Sequence, residues 1–258
     1  MSTALVTGAS AGLGEEFARQ LAARGHDLVL VARDEARLVA LSAALTAEHG
    51  VRAEVLAADL CADDGRARVE ARLASTDAPI ELLVNNAGVM EVGAFAAADV
   101  NKQVREVELN VVALVRLTHA ALNAMSARRT GTIMNISSVA GFQPSPSAAT
   151  YAATKAFVNS FTHALYEEAR GEGVHVMAVC PGYTHTELHE RAGLDPSSGV
   201  PELFWQSADE VVSEALRALD RRRSVSVPGA INKVIAAGSS VTPAIVSRRI
   251  AGIVVKRT

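Results

Sequence analysis

Short, continuously apolar segments alternate along this chain with longer segments whose apolar residues recur at helical spacing. The apolar segments predict strands, in chain order, at "ALVT", "DLVLVA", "AEVLAA", "ELLVNN", "GTIMNIS", "HVMAVC" and the shorter "SVSVP". The helical patterns between them include one from about Gly12 to Arg24 and one from about Asp34 to His49. Strands that are apolar throughout belong to a sheet covered on both faces. The alternation therefore predicts a single α/β domain over residues 1–258 with a doubly wound parallel sheet.

Composition and charge narrow the class of protein. Hydrophobic residues make up 49% of the chain, enough for a large core, and the formal net charge of −3 argues against a nucleic-acid partner. The two cysteines, Cys61 and Cys180, are too few for a disulfide framework and indicate buried thiols in a reducing compartment. The N-terminal "MSTALVTGAS" lacks the pattern of a signal peptide, so we expect a cytoplasmic protein.

Two segments near the C-terminus have no clear place in the sheet. Residues 182–206 are rich in Gly, Pro, Ser and His and follow a predicted strand, which favours a substrate lid over an inert long loop. The tail over residues 228–258 is apolar in places, but Lys233 and Pro243 interrupt it before about 20 apolar residues accumulate. We expect no integral membrane span. Packing of the tail on its own domain, on a partner subunit or on a membrane surface stays open.

The segment "TGASAGLG" joins the first predicted strand to the first predicted helix and contains Gly8, Gly12 and Gly14. Glycine permits a tight turn and lets the backbone approach a pyrophosphate, and the helix N-terminus that follows supplies free N–H groups. The gaps of four and two residues differ from G-x-G-x-x-G, but the place between strand and helix is that of a dinucleotide-binding turn. We expect this turn, with Ser10 and Leu13, to bind a dinucleotide; a structural turn is the alternative.

The end of the second predicted strand, "LVLVARDEARL", bears on the choice of dinucleotide. An acidic residue here would hydrogen-bond the 2′-hydroxyl of the adenosine ribose, whereas an arginine accommodates a 2′-phosphate. Arg33 follows the strand directly, with Arg37 and Ser10 as helpers, and this favours NADP(H) over NAD(H). Asp34 would repel a phosphate if it pointed inward. The alternative is that Arg33 is a solvated residue at the start of the next helix and binds no ligand.

Two further strand ends carry polar groups suited to a flat ligand. "AADL" ends the third strand, where Asp59, followed by Leu60, would accept a hydrogen bond from the adenine amine or cap the next helix. "NNAG" ends the fourth strand, and its Asn86, Ala87 and Gly88 let the backbone pass close to a ligand. A plain turn is the alternative for "NNAG" taken alone.

Tyr151 and Lys155 are four residues apart and share one helix face. A phenol becomes a useful acid–base group near neutrality when its pKa falls from about 10 to about 7, which takes roughly 4 kcal/mol. A lysine charge about 4 Å away supplies roughly that energy at an effective dielectric constant of about 20. Ser138 ends the strand "GTIMNISS" and would bond the substrate oxygen, while Ser137 points to the other face. Asn110 in "ELNVVAL" would hold a water beside Lys155.

These motifs together resemble the classical branch of the short-chain dehydrogenase/reductase family, from about residue 3 to residue 186. The resemblance rests on "TGASAGLG", "NNAG" and the set Asn110, Ser138, Tyr151 and Lys155. "PGYTHTEL" is similar to the family's proline–glycine segment, Pro181 and Gly182. The resemblance implies a Rossmann-like domain with a seven-stranded parallel sheet. It also implies that the Thr184 backbone and the Thr186 side chain bind the nicotinamide carboxamide.

The activity implied is that of an NADP(H)-dependent reductase of a small carbonyl substrate or dehydrogenase of the alcohol, assembled as a homodimer or homotetramer. The apolar tail favours a hydrophobic ketone or aldehyde. An NAD-dependent alcohol dehydrogenase and a non-catalytic dinucleotide sensor are the alternatives, and the intact catalytic set speaks against the sensor. "HTELH" spaces His185 and His189 as metal ligands on a helix, but no third ligand is evident, so we predict no metal site. Trp205 fits either the substrate site or lid packing.

Overall fold

The computed structural model describes residues 2–194 and 200–241, which form a sheet of seven parallel strands in the order β3-β2-β1-β4-β5-β6-β7. The strands are Thr3–Thr7 (β1), Asp27–Ala32 (β2), Ala53–Ala57 (β3), Ile80–Asn85 (β4), Gly131–Ile136 (β5), Val174–Val179 (β6) and Val225–Ser226 (β7). The predicted fold is confirmed, and the strand ends differ from the predicted ones by at most two residues.

Helices connect the strands and cover both faces of the sheet. They are Gly12–Ala23 (α1), Glu35–His49 (α2), Asp63–Ala74 (α3), Val100–Val107 (α4), Leu114–Arg128 (α5), Ala149–Ala169 (α6), Glu187–Arg191 (α7), Ala208–Asp220 (α8) and Ala230–Val241 (α9). Short 3-10 segments occupy Phe95–Ala97, Val139–Phe142, Arg170–Glu172 and Glu202–Phe204. A π-helical segment, Glu108–Ala113, joins α4 to α5 without a break.

The strands divide the core in two because successive side chains point to opposite faces. Ala4 and Val6 of β1 pack with α1, α2 and α8, in a cluster that contains Phe17. Leu5, between them, packs with α3 and α5, in a cluster that contains Leu117. Because both faces are covered, the strands are apolar throughout, and polar groups gather at the strand ends.

The chain reverses its winding direction at β1, which lies between β2 and β4. The connections after β1 and β4 therefore diverge at the carboxyl edge of the sheet and leave a crevice between them, which is where open α/β sheets bind ligands. The "TGASAGLG" turn follows β1 and "NNAG" ends β4, so the topology brings both motifs to this crevice.

The segments predicted as lid and tail are described in part. Residues 182–206 contain α7 and the segment Glu202–Phe204, and residues 195–199 lie outside the described residues. The tail forms α9, and its continuation over residues 242–258 also lies outside the described residues. Over the described part of the chain, no helix combines the length and apolar character needed to span a bilayer.

A polar ladder crosses the otherwise apolar interior beneath the crevice. The register places Asn85 of β4 beside Asn135 of β5, and Asn85 Nδ2 donates to Asn135 Oδ1 at 2.9 Å. Asn85 Nδ2 also donates to Thr118 Oγ1 of α5 at 2.9 Å, and Asn135 Nδ2 donates to Thr162 Oγ1 of α6 at 3.0 Å. The ladder therefore ties two helices to two central strands through buried hydrogen bonds.

We expect Asn135→Ala to lower the free energy of unfolding by about 2–4 kcal/mol, because Asn85 Nδ2 and Thr162 Oγ1 each lose a buried hydrogen-bond partner. Denaturant unfolding measures the change. Asn123→Ala, on the exposed side of α5, is the matched control and should stay within about 0.5 kcal/mol of wild type. Equal stability of the two variants would show that the ladder contributes nothing.

Candidate active site

The turn after β1 has the backbone that only glycine adopts easily. Gly8 and Gly12 have φ of +68° and +57°, in the left-handed region. Gly14 lies in the first turn of α1, where a Cβ atom would stand 2.1 Å from Gly8 O and 2.5 Å from Asn86 Nδ2. The sequence interpretation of a tight turn with close backbone packing is confirmed at these three positions.

Thr7, at the end of β1, joins this turn to the segment after β4. Its Oγ1 accepts hydrogen bonds from the backbone N–H groups of Asn86 and Ala87, both at 2.9 Å, and donates to Val84 O at 3.3 Å. Asn86 Nδ2 donates back to Thr7 O at 2.9 Å. The two motifs are thereby held together as one wall.

A cavity of about 730 Å³ opens above this wall, within the usual range for ligand sites of about 300–1,000 Å³. The residues predicted for the site that line it are Gly8, Ser10, Gly12, Leu13, Arg33, Asp59, Leu60, Asn86, Ala87, Gly88, Ser138, Tyr151, Lys155, Pro181, Gly182, Thr184 and Thr186. Gly14 and Asn110 do not line the cavity but contact residues that do.

Arg33 lies at the end of the cavity next to β2, exposed, with no ion pair among the described residues. Asp34 caps α2 by accepting a hydrogen bond from Arg37 N at 3.0 Å. Because the Asp34 carboxylate accepts this hydrogen bond from α2, it would repel a ribose 2′-phosphate less strongly. Arg37 donates from Nη1 to Glu187 Oε1 of α7 at 2.8 Å, so it also links the cavity rim to the lid.

Asp59 lines the cavity but does not cap α3, whose cap residue is Ala62 without a side-chain bond. The capping alternative is therefore wrong. Asp59 Oδ1 accepts from Cys61 N at 3.0 Å, and Oδ2 accepts from Arg105 at 2.9 Å. Burial raises the pKa of Asp59, but the two hydrogen bonds together with the charges of Arg105 and Arg33 lower it overall. Arg105 thus joins the site as a residue that sequence reasoning missed.

Tyr151, Ser138 and Lys155 meet at the opposite end of the cavity. The first turns of α6 place Lys155 Nζ 5.6 Å from the centroid of the Tyr151 ring. Ser138, after β5, lies near enough to the Tyr151 phenol to lower its pKa; its Oγ donates to Pro181 O at 3.4 Å and accepts from Ala140 N at 3.1 Å. Ser137 points away and donates to Lys155 O at 2.9 Å, so the two serines face opposite sides as predicted.

The electrostatics of this group differ from the sequence expectation. Burial raises the pKa of Tyr151 to about 12, although the neighbouring Ser138 hydroxyl acts to lower it. Burial also lowers the pKa of Lys155 to about 8. The predicted lowering of the phenol's pKa is therefore wrong for the folded chain, because burial disfavours the phenolate. Lys155 Nζ instead donates to Ile136 O at 2.9 Å.

Asn110 lies in the π-helical segment between α4 and α5, a geometry that often marks functional sites. Its Nδ2 donates to Val89 O at 2.9 Å and to Thr154 Oγ1 at 3.1 Å, and its Oδ1 accepts from Val89 N at 3.0 Å. The side chain therefore fixes the segment after β4. A Cβ atom on Gly88 would lie 3.1 Å from Asn110 Oδ1 and 3.6 Å from Lys155 Nζ, so glycine leaves a gap between them. The water-holding role of Asn110 stays a prediction.

Thr186, in the segment predicted to be a lid, packs on the glycine turn. The Cβ and Cγ2 atoms of Thr186 come within 3.2 Å and 3.3 Å of the position that a Cβ atom on Gly12 would occupy. Thr186 Oγ1 donates to Thr184 O at 3.3 Å, and Thr184 forms an isolated bridge with Gln206. Both threonines therefore line the cavity, and Thr186 lies next to the glycine turn. Their binding of the nicotinamide carboxamide stays a prediction.

Trp205 packs inside the lid rather than lining the cavity. Its ring lies 5.0 Å from that of His185, 5.5 Å from that of His189 and 5.4 Å from that of Tyr183, between centroids. Burial lowers the pKa of His189 to about 4, and His185 Nε2 contacts Glu202 Oε1 at 3.2 Å. In the described ranges, no group of three or more His, Cys, Asp or Glu side chains is placed to bind a metal ion.

Several comparisons with known proteins agree with this geometry. The sequence profile described as short chain dehydrogenase matches residues 2–196. A very-long-chain 3-oxoacyl-CoA reductase from Bos taurus is 34% identical over 215 residues, which cover 81% of this chain and 68% of that protein. The match to this profile shows that the chain belongs to the short-chain dehydrogenase family, and it is an oxidoreductase with that family's Rossmann-like fold.

Two solved structures extend the similarity. A short-chain dehydrogenase from Sphingobium yanoikuyae, in complex with NADPH, is 44% identical and superposes with a TM-score of 0.85 over 89% of each chain. The bulky-bulky ketone specific alcohol dehydrogenase from Comamonas testosteroni is 35% identical, with a TM-score of 0.80 over 94% of this chain and 95% of that one.

Gly14→Ala should lower the free energy of unfolding by about 1–3 kcal/mol, because the new methyl group meets the backbone of the turn. It should also weaken dinucleotide binding, measured by fluorescence titration. Gly171→Ala is the matched control, since a Cβ atom there meets nothing within 4 Å. Wild-type stability and affinity in Gly14→Ala would contradict the close packing of the turn.

Proposed function

We propose that this protein is an NADP(H)-dependent carbonyl reductase, or alcohol dehydrogenase in the reverse direction, acting on a hydrophobic ketone or aldehyde. The observation that carries the proposal is the joint position of Ser138, Tyr151 and Lys155 at one end of a cavity whose other end is the glycine turn and Arg33. A dinucleotide bound along this cavity would have its phosphates at the turn and its reactive ring near Tyr151.

The catalytic roles follow from the groups at that end. Ser138 and Tyr151 donate hydrogen bonds to the carbonyl oxygen of the substrate and hold it in place. The bound NADPH supplies the hydride. Tyr151 then gives its proton to the oxygen, and a phenol whose pKa is raised to about 12 stays protonated for this task. Lys155 restores the proton, since its buried ammonium group titrates nearer to neutrality, with a pKa of about 8.

The preference for NADP(H) rests on Arg33 and its surroundings. Arg33 is exposed at the cavity end and has no carboxylate partner among the described residues, whereas Asp34 is engaged as a helix cap. An arginine at this place accommodates a 2′-phosphate. The Sphingobium yanoikuyae relative was solved with NADPH, which supports the same choice here.

The substrate class rests on the wall between the two ends of the cavity. Val89, Met90, Leu109 and Leu188 line it and offer apolar surface beside Ser138. The relatives are named for bulky-bulky ketones and for very-long-chain 3-oxoacyl-CoA, and the latter carries its ketone next to a long apolar chain. We therefore propose bulky hydrophobic ketones as the first substrates to assay.

We also propose a homodimer or homotetramer in the cytoplasm. Large apolar side chains are exposed beside the active-site helices: Phe95 at 63%, Val100 at 64% and Val104 at 54% near α4, and Phe157 at 41% on α6. A face of this kind is covered most simply by a second copy of the chain. The free thiols of Cys61 and Cys180 support a reducing compartment.

Tyr151→Phe should lower kcat for ketone reduction by about 10²–10⁴-fold, because it removes the proton donor but keeps the ring. The affinity for NADPH should change little, which fluorescence titration measures separately. Tyr166→Phe, on the same helix with its ring against His175, is the matched control and should retain activity. Full turnover by Tyr151→Phe would refute the proposed mechanism.

Arg33→Ala should weaken NADPH binding by roughly 10–100-fold, as expected for losing a charge-assisted hydrogen bond, and should leave NADH binding nearly unchanged. Arg68→Ala, an exposed arginine of α3, controls for the change in net charge. If the wild type bound NADH as tightly as NADPH, Asp34 would face the ribose, and the protein would be an NAD-dependent dehydrogenase.

A further inference from the structure

Asn232 is a buried polar residue of α9 whose side chain contacts other segments of the chain. The residue is 5% exposed. Its Nδ2 donates to Gln206 Oε1 at 2.9 Å and to Pro228 O at 2.8 Å. Asn232 does not line the cavity. Any influence that it has on a bound molecule therefore passes through the residues that it contacts.

Gly182, which lines the cavity, packs directly against the Asn232 amide. A Cβ atom on Gly182 would stand 2.3 Å from Asn232 Oδ1 and 2.5 Å from Asn232 Nδ2, far inside ordinary van der Waals contact. Gly182 does not belong to the glycines with a positive φ, so its φ is one that alanine also adopts. The Asn232 side chain, and not a left-handed backbone, therefore explains the need for glycine at position 182.

Gln206 extends this contact to the rest of the same segment. Its backbone N donates to Tyr183 O, and its carbonyl oxygen accepts from His185 N, both at 3.0 Å. These two hydrogen bonds form the bridge between Gln206 and Thr184. Because the Gln206 side chain accepts from Asn232, the chain on either side of Thr184 is tied to α9.

The start of the segment is fixed by the chain after β5. Pro181 O accepts hydrogen bonds from Val139 N at 2.9 Å and from Ser138 Oγ at 3.4 Å. Ser138 belongs to the proposed catalytic group. The segment over residues 181–186 is therefore anchored to that group at its start and to α9 over the residues that follow.

We propose that Asn232 is a positioning residue for the dinucleotide. By packing on Gly182 and hydrogen-bonding Gln206, it sets how closely residues 182–186 approach the nicotinamide ring. The inference rests on the proposed function, since it takes NADP(H) as the bound molecule and places its reactive ring near Tyr151. Asn232 forms no bond with dinucleotide or substrate in this role. The described part of the tail, α9, thereby supports the site from outside the cavity.

The first experiment compares two ligands by calorimetric titration of wild type, Asn232→Ala and Val234→Ala. NADPH contains the nicotinamide ring, whereas adenosine 2′,5′-bisphosphate carries the 2′-phosphate and lacks the ring. Asn232→Ala should bind NADPH roughly 10-fold more weakly, in line with the loss of one or two buried hydrogen bonds, and should bind the bisphosphate as the wild type does. Val234 is 73% exposed on the same helix, and Val234→Ala should bind both ligands as the wild type does.

Two outcomes of this experiment would overturn the inference. One is wild-type affinity for NADPH in Asn232→Ala. The other is an equal loss of affinity for both ligands, which would show a general effect on the fold and no particular effect at the nicotinamide end.

The second experiment tests the contact between Asn232 and Gly182. Gly182→Ala should weaken NADPH binding by roughly 10-fold or more, because the new methyl group meets the Asn232 amide and displaces the segment. Adding Asn232→Ala removes the obstructing atoms, so the double variant should bind NADPH more tightly than Gly182→Ala alone. A double variant that binds no more tightly than Gly182→Ala would contradict the proposal. If Asn232→Ala does not fold, Asn232→Ser, which is also shorter than asparagine and keeps a polar group, replaces it in both experiments.

The inference and the proposed function fail in different ways. A wild-type protein that does not bind NADPH overturns the proposed function, and the inference with it. Tight NADPH binding by the wild type, with unchanged binding by Asn232→Ala, overturns the role of Asn232 and leaves the proposed function standing.

Discussion

The hydroxyl group of Thr7 holds together the two loops on which the candidate site depends. It lies where the sheet reverses its winding direction, a place where two connections would otherwise part. By accepting from Asn86 N and Ala87 N, Thr7 Oγ1 pairs two backbone donors that the end of β4 leaves without sheet partners. Asn86 then braces the glycine turn through Thr7 O. The shape of the cavity thus follows from a few short hydrogen bonds at one strand end.

The chemistry at the other end of the cavity is governed by desolvation. Helical spacing brings Tyr151 and Lys155 to one face, but spacing alone does not decide their charge states. Burial disfavours both phenolate and ammonium, so it raises the pKa of Tyr151 and lowers the pKa of Lys155. The charge of Glu106, a buried carboxyl on α4, acts in the opposite direction on the pKa of Lys155.

Much of this could be predicted from the sequence because the relevant signals are local. Apolar strands, the glycine turn and the four-residue spacing of Tyr151 and Lys155 are each contained in a short segment. The contacts that were missed join distant segments: Arg105 to Asp59, 46 residues apart, and Glu106 to Glu91 across a loop. Burial of an acidic residue such as Glu106 leaves no trace in a charge pattern, and whether Asp34 faces a helix or a ligand depends on one side-chain torsion.

The π-helical segment was likewise beyond the sequence argument, since Glu108–Ala113 has the composition of an ordinary helix. Its wider turn changes which residues share a face, and it presents Asn110 to Val89 and Thr154 at once.

The packing of Thr186 on Gly12 has a thermodynamic consequence. The glycine turn and the segment that contains Thr186 share a surface, so a molecule bound by the turn would also affect how that segment packs around a second molecule. Linkage makes this effect equal in both directions: whatever the first ligand does to the affinity for the second, the second does to the first. One route for such an effect is the contact of the Thr186 side chain with Gly12.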